Sequence, residues 1–211
     1  MQQNTDHIQT THVGSLVRPP ELVEFMRAKL AHTNFDEADF HAELAKSIDD
    51  VVAKQAKVGI DIVSDGEYSK TNWYRYVLER VSGFDHRAIP GSKPRPNPSD
   101  GNDYERFKDF YDKYHATLQS TGSDGRWFVS APITYHGQAP LQRDINTIKS
   151  AVKKAGAHQG FLPVVAPASV LSDLKDEYYH DERKLFFALA EALRHEYKTI
   201  ADAGLIVQID D

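Results

Sequence analysis

The chain has 211 residues, enough to bury a substantial core as one large domain or two small ones. Hydrophobic residues at 40% and charged residues at 27% are ordinary for a globular chain, and a formal net charge of −6 argues against a nucleic-acid partner. The lack of cysteine excludes disulfides, thiolate catalysis and any cysteine-ligated zinc within these residues. No apolar run is long enough for a membrane helix, and the polar start Met1-Gln2-Gln3-Asn4-Thr5-Asp6 is not a signal peptide, which leaves the cytoplasm as the default address.

The recurring unit is a short apolar run, a polar or glycine turn, and a helix with a 3.6-residue period. The first run, 8–13, ends in Gly14-Ser15. Pro19 and Pro20 suit the first turn of a helix that buries Leu22, Val23, Phe25, Met26 and Leu30. Asp36 is placed to cap a longer helix with Phe40, Leu44, Ile48, Val51, Val52 and Val58 on one side; Lys54 and Lys57 lie in its last turn and Gly59 follows. A second strand, 60–64, runs into Asp65-Gly66-Glu67 and a helix carrying Trp73, Tyr76, Val77 and Val81. Residues 86–103 are rich in proline and glycine and read as a loop insertion within a single domain spanning 1–211, because the helix–strand alternation resumes after them. Tyr104, Phe107, Tyr111, Tyr114 and Leu118 line the next helix as core residues. A third strand (127–134), a helix with Leu141, Ile145, Ile148 and Val152 closed by Gly156, and a fourth strand (161–166) follow. A long helix with Leu185, Leu189, Leu193, Tyr197 and Ile200 ends at Gly204, before a fifth strand, 205–209.

Five strands joined by helical crossovers imply an all-parallel α/β sheet. A complete open five-stranded sheet and part of a (β/α)8 barrel both satisfy the pattern. The fifth strand ends at Asp210-Asp211 with no helix to cover it. The pattern is therefore read as a TIM-type barrel of which the chain covers about the first five βα units. The open edge of the fifth strand predicts self-association or a complementing chain.

In either architecture a ligand site forms at the carboxyl ends of the strands. Those ends carry His12, Gly14 and Ser15; Asp65, Gly66 and Glu67; Thr134; Ser169; and Asp210, which are expected to converge. Gly14 and Gly66 permit close backbone approach, and Ser15 offers a hydroxyl and an N–H, although a helix-capping role fits it equally. Glu67 and Asp210 can jointly hold an ammonium group or act as acid and base. Asp65 serves either the turn backbone or a ligand, and His12 is either a site residue or a satisfied core imidazole.

Four segments in order resemble the C-terminal catalytic domain of the cobalamin-independent methionine synthase family. They are Thr10-Thr11-His12-Val13-Gly14-Ser15-Leu16-Val17-Arg18-Pro19, Asp65-Gly66-Glu67-Tyr68, Ala131-Pro132-Ile133-Thr134 and Gln208-Ile209-Asp210-Asp211. The resemblance implies a (β/α)8 barrel in which zinc activates a thiol substrate such as homocysteine and a methylated folate gives up its methyl group. It assigns Ser15 to the substrate carboxylate and Glu67 and Asp210 to its amine, and sets the expected zinc ligands beyond Asp211, so that this chain alone holds no zinc. His12 stands where the family usually has threonine. Tyr68-Ser69-Lys70-Thr71-Asn72-Trp73 departs from the family's Phe-x-Arg-Asn-Asp-Met. A related branch, the epoxyalkane–coenzyme M transferases, gives an alternative electrophile. A noncatalytic half-barrel that needs a partner chain and a zinc-free lyase using Glu67 and His12 are further readings.

Overall fold

A computed structural model of the chain describes residues 7–31, 33–73, 75–88, 103–117, 125–171 and 174–211. In chain order its elements are α1 (Pro20–Leu30), α2 (Glu37–Lys57), β1 (Ile62–Ser64), α3 (Arg75–Leu78), β2 (Val81–Ala88), α4 (Asp103–Arg106), α5 (Lys108–Thr117), β3 (Gly125–Tyr135), α6 (Gln138–Ala155), β4 (Gln159–Val165), α7 (Pro167–Leu171), β5 (Leu174–Asp176), α8 (Glu182–Asp202) and β6 (Ile206–Asp210).

The long helices follow their apolar periods and end signals. Proline occupies the first turn of α1, where a missing N–H leaves no bond unmade. The Asp36 carboxylate accepts from the N–H groups of Ala38 and Asp39 at 2.7 and 3.0 Å, a cap worth about 1 kcal/mol. Along α2, Phe40, Leu44, Ile48, Val51 and Val52 are buried; Val58 lies past the last helical turn, loses the period and is exposed. α6 buries Leu141, Ile145 and Ile148 and stops on Gly156 in the left-handed conformation, and α8 buries Leu185, Leu189, Leu193 and Ile200.

The parallel sheet runs β1-β4-β6, with Thr11 bridged to Ile62 on the outer side of β1. Helix α2 packs on α6 and α6 on α8, and one apolar core joins α1, α2 and α6 to β1 and β4. The expected first strand is reduced to that single bridge. In place of a ladder, Asp61 accepts from the Thr10 N–H at 2.7 Å, from the Thr10 hydroxyl at 2.9 Å, and contacts His7. The Thr10 N–H above all, with His7, lowers the Asp61 carboxyl to about 2.

The all-parallel order of five strands does not hold. Residues 81–88 form a strand rather than the end of a helix, and β2 pairs antiparallel with β3 from Val81↔Tyr135 to Ala88↔Gly125. The expected third parallel strand therefore belongs to a second sheet, β2-β3-β5, in which only β3 and β5 are parallel. Among the described residues the parallel series has four positions: Thr11, β1, β4 and β6. An apolar run fixes that a strand forms but not which neighbour it takes. The proline- and glycine-rich loop cannot begin at 86, since 86–88 close β2; residues 89–102 lie outside the described residues. Tyr104 and Tyr111 are only half-buried, in rings 5.9 Å apart, and Phe107 is exposed, so these three do not fill the core as expected; the Tyr114 side chain and Leu118 lie outside the described residues. No described helix is long and apolar enough to cross a membrane.

Candidate functional site

From Val63 to Lys70 every residue is buried, which places a polar turn directly beyond the carboxyl end of β1. The turn is built by its own side chains. Asp65 accepts from the Glu67 N–H at 2.9 Å, while Gly66 (φ 66°) and Glu67 (φ 60°) are both left-handed. A glutamate held there costs on the order of 1 kcal/mol or more, so the surroundings must over-determine it. They do so through residues 16–18. The Leu16 N–H donates to the Gly66 carbonyl at 3.1 Å, the Tyr68 hydroxyl to the Val17 carbonyl at 2.6 Å, and one Arg18 nitrogen to the carbonyls of Glu67 and Lys70 at 2.7 and 2.9 Å.

The Glu67 carboxylate is occupied on both oxygens. The Ser15 hydroxyl donates to Oε2 at 2.5 Å, and Lys70 Nζ lies 3.2 Å from Oε1. Lys70 also donates to the Pro163 carbonyl on β4 at 2.7 Å, spanning two parallel strands. Both members of the Glu67–Lys70 pair are about 5% exposed. Beside them, burial pushes the Asp65 carboxyl up to about 6, against the opposing pull of Lys70 and the Glu67 N–H. Burial likewise lowers Arg18, with Glu67 opposing it.

Of the residues expected to converge, Ser15 and Glu67 meet directly. Ser15 caps no helix, and Asp65 spends an oxygen on the turn. Gly14 is left-handed (φ 84°) with open space where a side chain would stand, and His12 shares a 2.8 Å hydrogen bond with the Gly14 carbonyl. Asp210 closes β6 opposite Val165; its carboxylate accepts from Gln208 at 2.9 Å and its carbonyl from the Ala166 N–H at 2.7 Å. The Ser169 hydroxyl donates to Asp211 at 3.0 Å. Thr134 sits in the second sheet, its hydroxyl bonded to Ser82, because β3 left the parallel series. Lys70 escaped the sequence reading. A lysine in a polar turn looks solvated, and the departure of Tyr68–Trp73 from the family pattern was the one available signal.

A second buried charge cluster adjoins the turn through Tyr76, whose hydroxyl lies 3.3 Å from the Ser69 hydroxyl. Arg80, 2% exposed, pairs with Glu196 at 2.8 Å, with Asp144 and with the Tyr76 hydroxyl. The described residues contain no group of three or more His, Asp or Glu side chains that could hold a metal ion. Together with the lack of cysteine, this donor set does not fit a thiol-activating zinc.

The family model described as "Cobalamin-independent synthase, Catalytic domain" matches residues 8–160. A methionine synthase of Sulfolobus acidocaldarius is 24% identical over 205 residues, covering 97% of this chain and 51% of that protein. A 5-methyltetrahydropteroyltriglutamate–homocysteine methyltransferase of Bifidobacterium animalis is 30% identical over 77 residues, 36% of this chain and 10% of that protein. A B12-independent methionine synthase from Shewanella sp. W3-18-1, solved in complex with selenomethionine, superposes with a TM-score of 0.64 at 18% identity, over 96% of this chain and 51% of that one. The chain thus spans about half the length of the relatives it matches end to end.

Proposed function

The chain belongs to the cobalamin-independent synthase catalytic-domain family, and from that premise we propose that it carries the amino-acid-binding groups for methyl transfer to homocysteine. We further infer that its four parallel positions are a section of the wall of a (β/α)8 barrel. Their strict sequence order and the packing of α2, α6 and α8 support that reading. The methyl donor in the proposal is a methylated folate, the donor in the name of the Bifidobacterium relative.

In this proposal Glu67, with Asp210, takes the substrate ammonium, while the Ser15 backbone N–H, its hydroxyl being engaged by Glu67, and the open backbone at Gly14 take its carboxylate. Asp65 and Arg18 hold the turn. Fixing an amino acid by both charged ends aims its thiol at the donor and converts an encounter into a positioned reaction. The observation that carries the reading is the Ser15–Glu67 hydrogen bond, which joins two groups nominated for opposite ends of one ligand through a buried carboxylate in a strained backbone.

Calorimetric titration of the 211-residue protein with L-homocysteine, 4-mercaptobutyrate (the same chain without its amine) and 2-mercaptoethanesulfonate tests it. Saturable binding of homocysteine alone is expected. Binding of the sulfonate in preference would replace this reading with the coenzyme M-like one, and no binding of homocysteine would overturn it.

A further inference from the structure

Resting on that reading, one feature of the turn goes beyond it: the carboxylate assigned to a substrate ammonium already holds one. We propose that Lys70 is the resident occupant of an exchangeable primary-ammonium subsite at Glu67, so that a ligand's ammonium enters by displacing the lysine's.

Four observations carry this. First, the Lys70 ammonium takes the contacts an incoming ammonium would need: a carboxylate oxygen at 3.2 Å, a backbone carbonyl at 2.7 Å, and the Tyr76 ring, centroid 5.7 Å away. Second, the pair is buried, so Glu67 cannot give up one cation without receiving another; departure and arrival are coupled. Third, the Lys70 backbone is held separately from its ammonium. Arg18 holds its carbonyl and its own N–H donates to the Glu67 carbonyl, which leaves a four-carbon stem free to re-aim without unfolding the turn. Fourth, Ser15 and the Glu67 backbone are fixed independently of the Lys70 side chain, so the subsite persists when the ammonium moves away. The acidic groups facing the ammonium are Glu67, Asp65 and, farther off, Asp144; among the described residues no second cation bonds Oε1. Such a site takes primary amines and rejects thiols of the same length that lack one, because only a cation can release the lysine.

The test is chemical rescue. In Lys70→Ala, n-propylammonium chloride, which restores the deleted atoms, should raise the unfolding midpoint saturably, whereas n-propanol and matched sodium chloride should not. The rise should vanish in Lys70→Ala/Glu67→Gln. L-Homocysteine should bind Lys70→Ala about tenfold more tightly than the wild type, the resident competitor having gone. Should Lys70→Ala fail to fold, the wild type supplies the second measurement. Nuclear magnetic resonance of the protein isotope-labelled at lysine Nζ should show the Lys70 ammonium signal move on saturation with homocysteine. Absence of propylammonium rescue in a folded variant, weaker homocysteine binding by that variant, or a Lys70 ammonium signal that is unchanged by bound homocysteine would each overturn the proposal. Rescue by propylammonium with no homocysteine binding by either protein would uphold the ammonium subsite and overturn the amino-acid reading alone.

Discussion

Arg80 donates to Glu196 at 2.8 Å across 116 positions of sequence, tying the junction of α3 and β2 to α8. The same guanidinium bonds Asp144 on α6 and lies 3.8 Å over the Tyr76 ring, so one side chain neutralises two buried acids on two helices.

Removing it leaves Glu196 buried without its ion-pair partner and takes from Asp144 the guanidinium bonded to it. Arg80→Ala is expected to destabilise the protein by about 3–5 kcal/mol, while the triple change Arg80→Met/Asp144→Leu/Glu196→Leu should recover much of that loss. Urea unfolding of the three proteins is the measurement. A loss under about 1 kcal/mol for Arg80→Ala, the level of an exposed pair, would mean the network does not tie the helices together.

What the sequence disclosed was mostly local. Asp36, Pro20 and Gly156 mark helix ends because capping and left-handed conformations are properties of single residues, and the stripe from Phe40 to Val52 follows from one helix's own period. Strand partnership is not local. The run 127–134 is as apolar as a parallel barrel strand, yet one of its edges pairs antiparallel with β2, whose Val81 lies four residues past Val77 and so mimics a helical face. In the site, Glu67 and Ser15 were legible from the glycines before them. Lys70 was not, since its burial depends on β4, which enters the chain about ninety residues later.

Asp65 gives the turn a pH signature of its own. Its carboxyl is raised from 3.8 to about 6 in the folded protein, so its protonated form stabilises the fold. That contribution is complete below about pH 4 and is lost as the pH rises through 6. Asp65→Asn keeps an oxygen for the Glu67 N–H and removes the charge. It should therefore stabilise the protein by up to about 3 kcal/mol at pH 8 and by almost nothing at pH 4. Thermal unfolding of both proteins across that range decides it; a pH-independent difference would show that Asp65 is not the titrating group.

Gly66 and Gly156 share a left-handed backbone but not the same surroundings. A methyl group at 156 meets open space, whereas at 66 it would stand 3.0 Å from the Tyr68 ring and 3.1 Å from Leu16 Cβ. Gly156→Ala should cost about 1 kcal/mol from backbone conformation alone, and Gly66→Ala about 1–3 kcal/mol more from crowding. Equal losses in denaturant would mean that the turn adjusts freely and does not hold Glu67 in place.

Zinc addition probes the donor set. With no cysteine and no described cluster of three ligands, the 211-residue protein should show no stoichiometric tight zinc by metal analysis after dialysis. One retained zinc per chain would reveal a ligand set that the strand ends do not display.

Glu67→Gln addresses the role of the carboxylate itself. Glutamine keeps an oxygen to accept from Ser15 and nearly the same volume, so the contact at 2.5 Å can survive while the charge is lost. The ligand's ammonium then meets an amide where it had a carboxylate, and homocysteine binding should weaken by about 1.5–3 kcal/mol, the range of a hydrogen bond to a charged partner. Stability should fall as well, because Lys70 stays buried without its counter-ion. The two effects separate through Lys70→Met. In Lys70→Met/Glu67→Gln the stability loss of the single Gln variant should largely disappear, whereas homocysteine binding should stay weak. If binding returns in the double variant, Glu67 acts only by restraining Lys70 and does not hold the amine. Calorimetry beside urea unfolding on the same four proteins distinguishes the two roles.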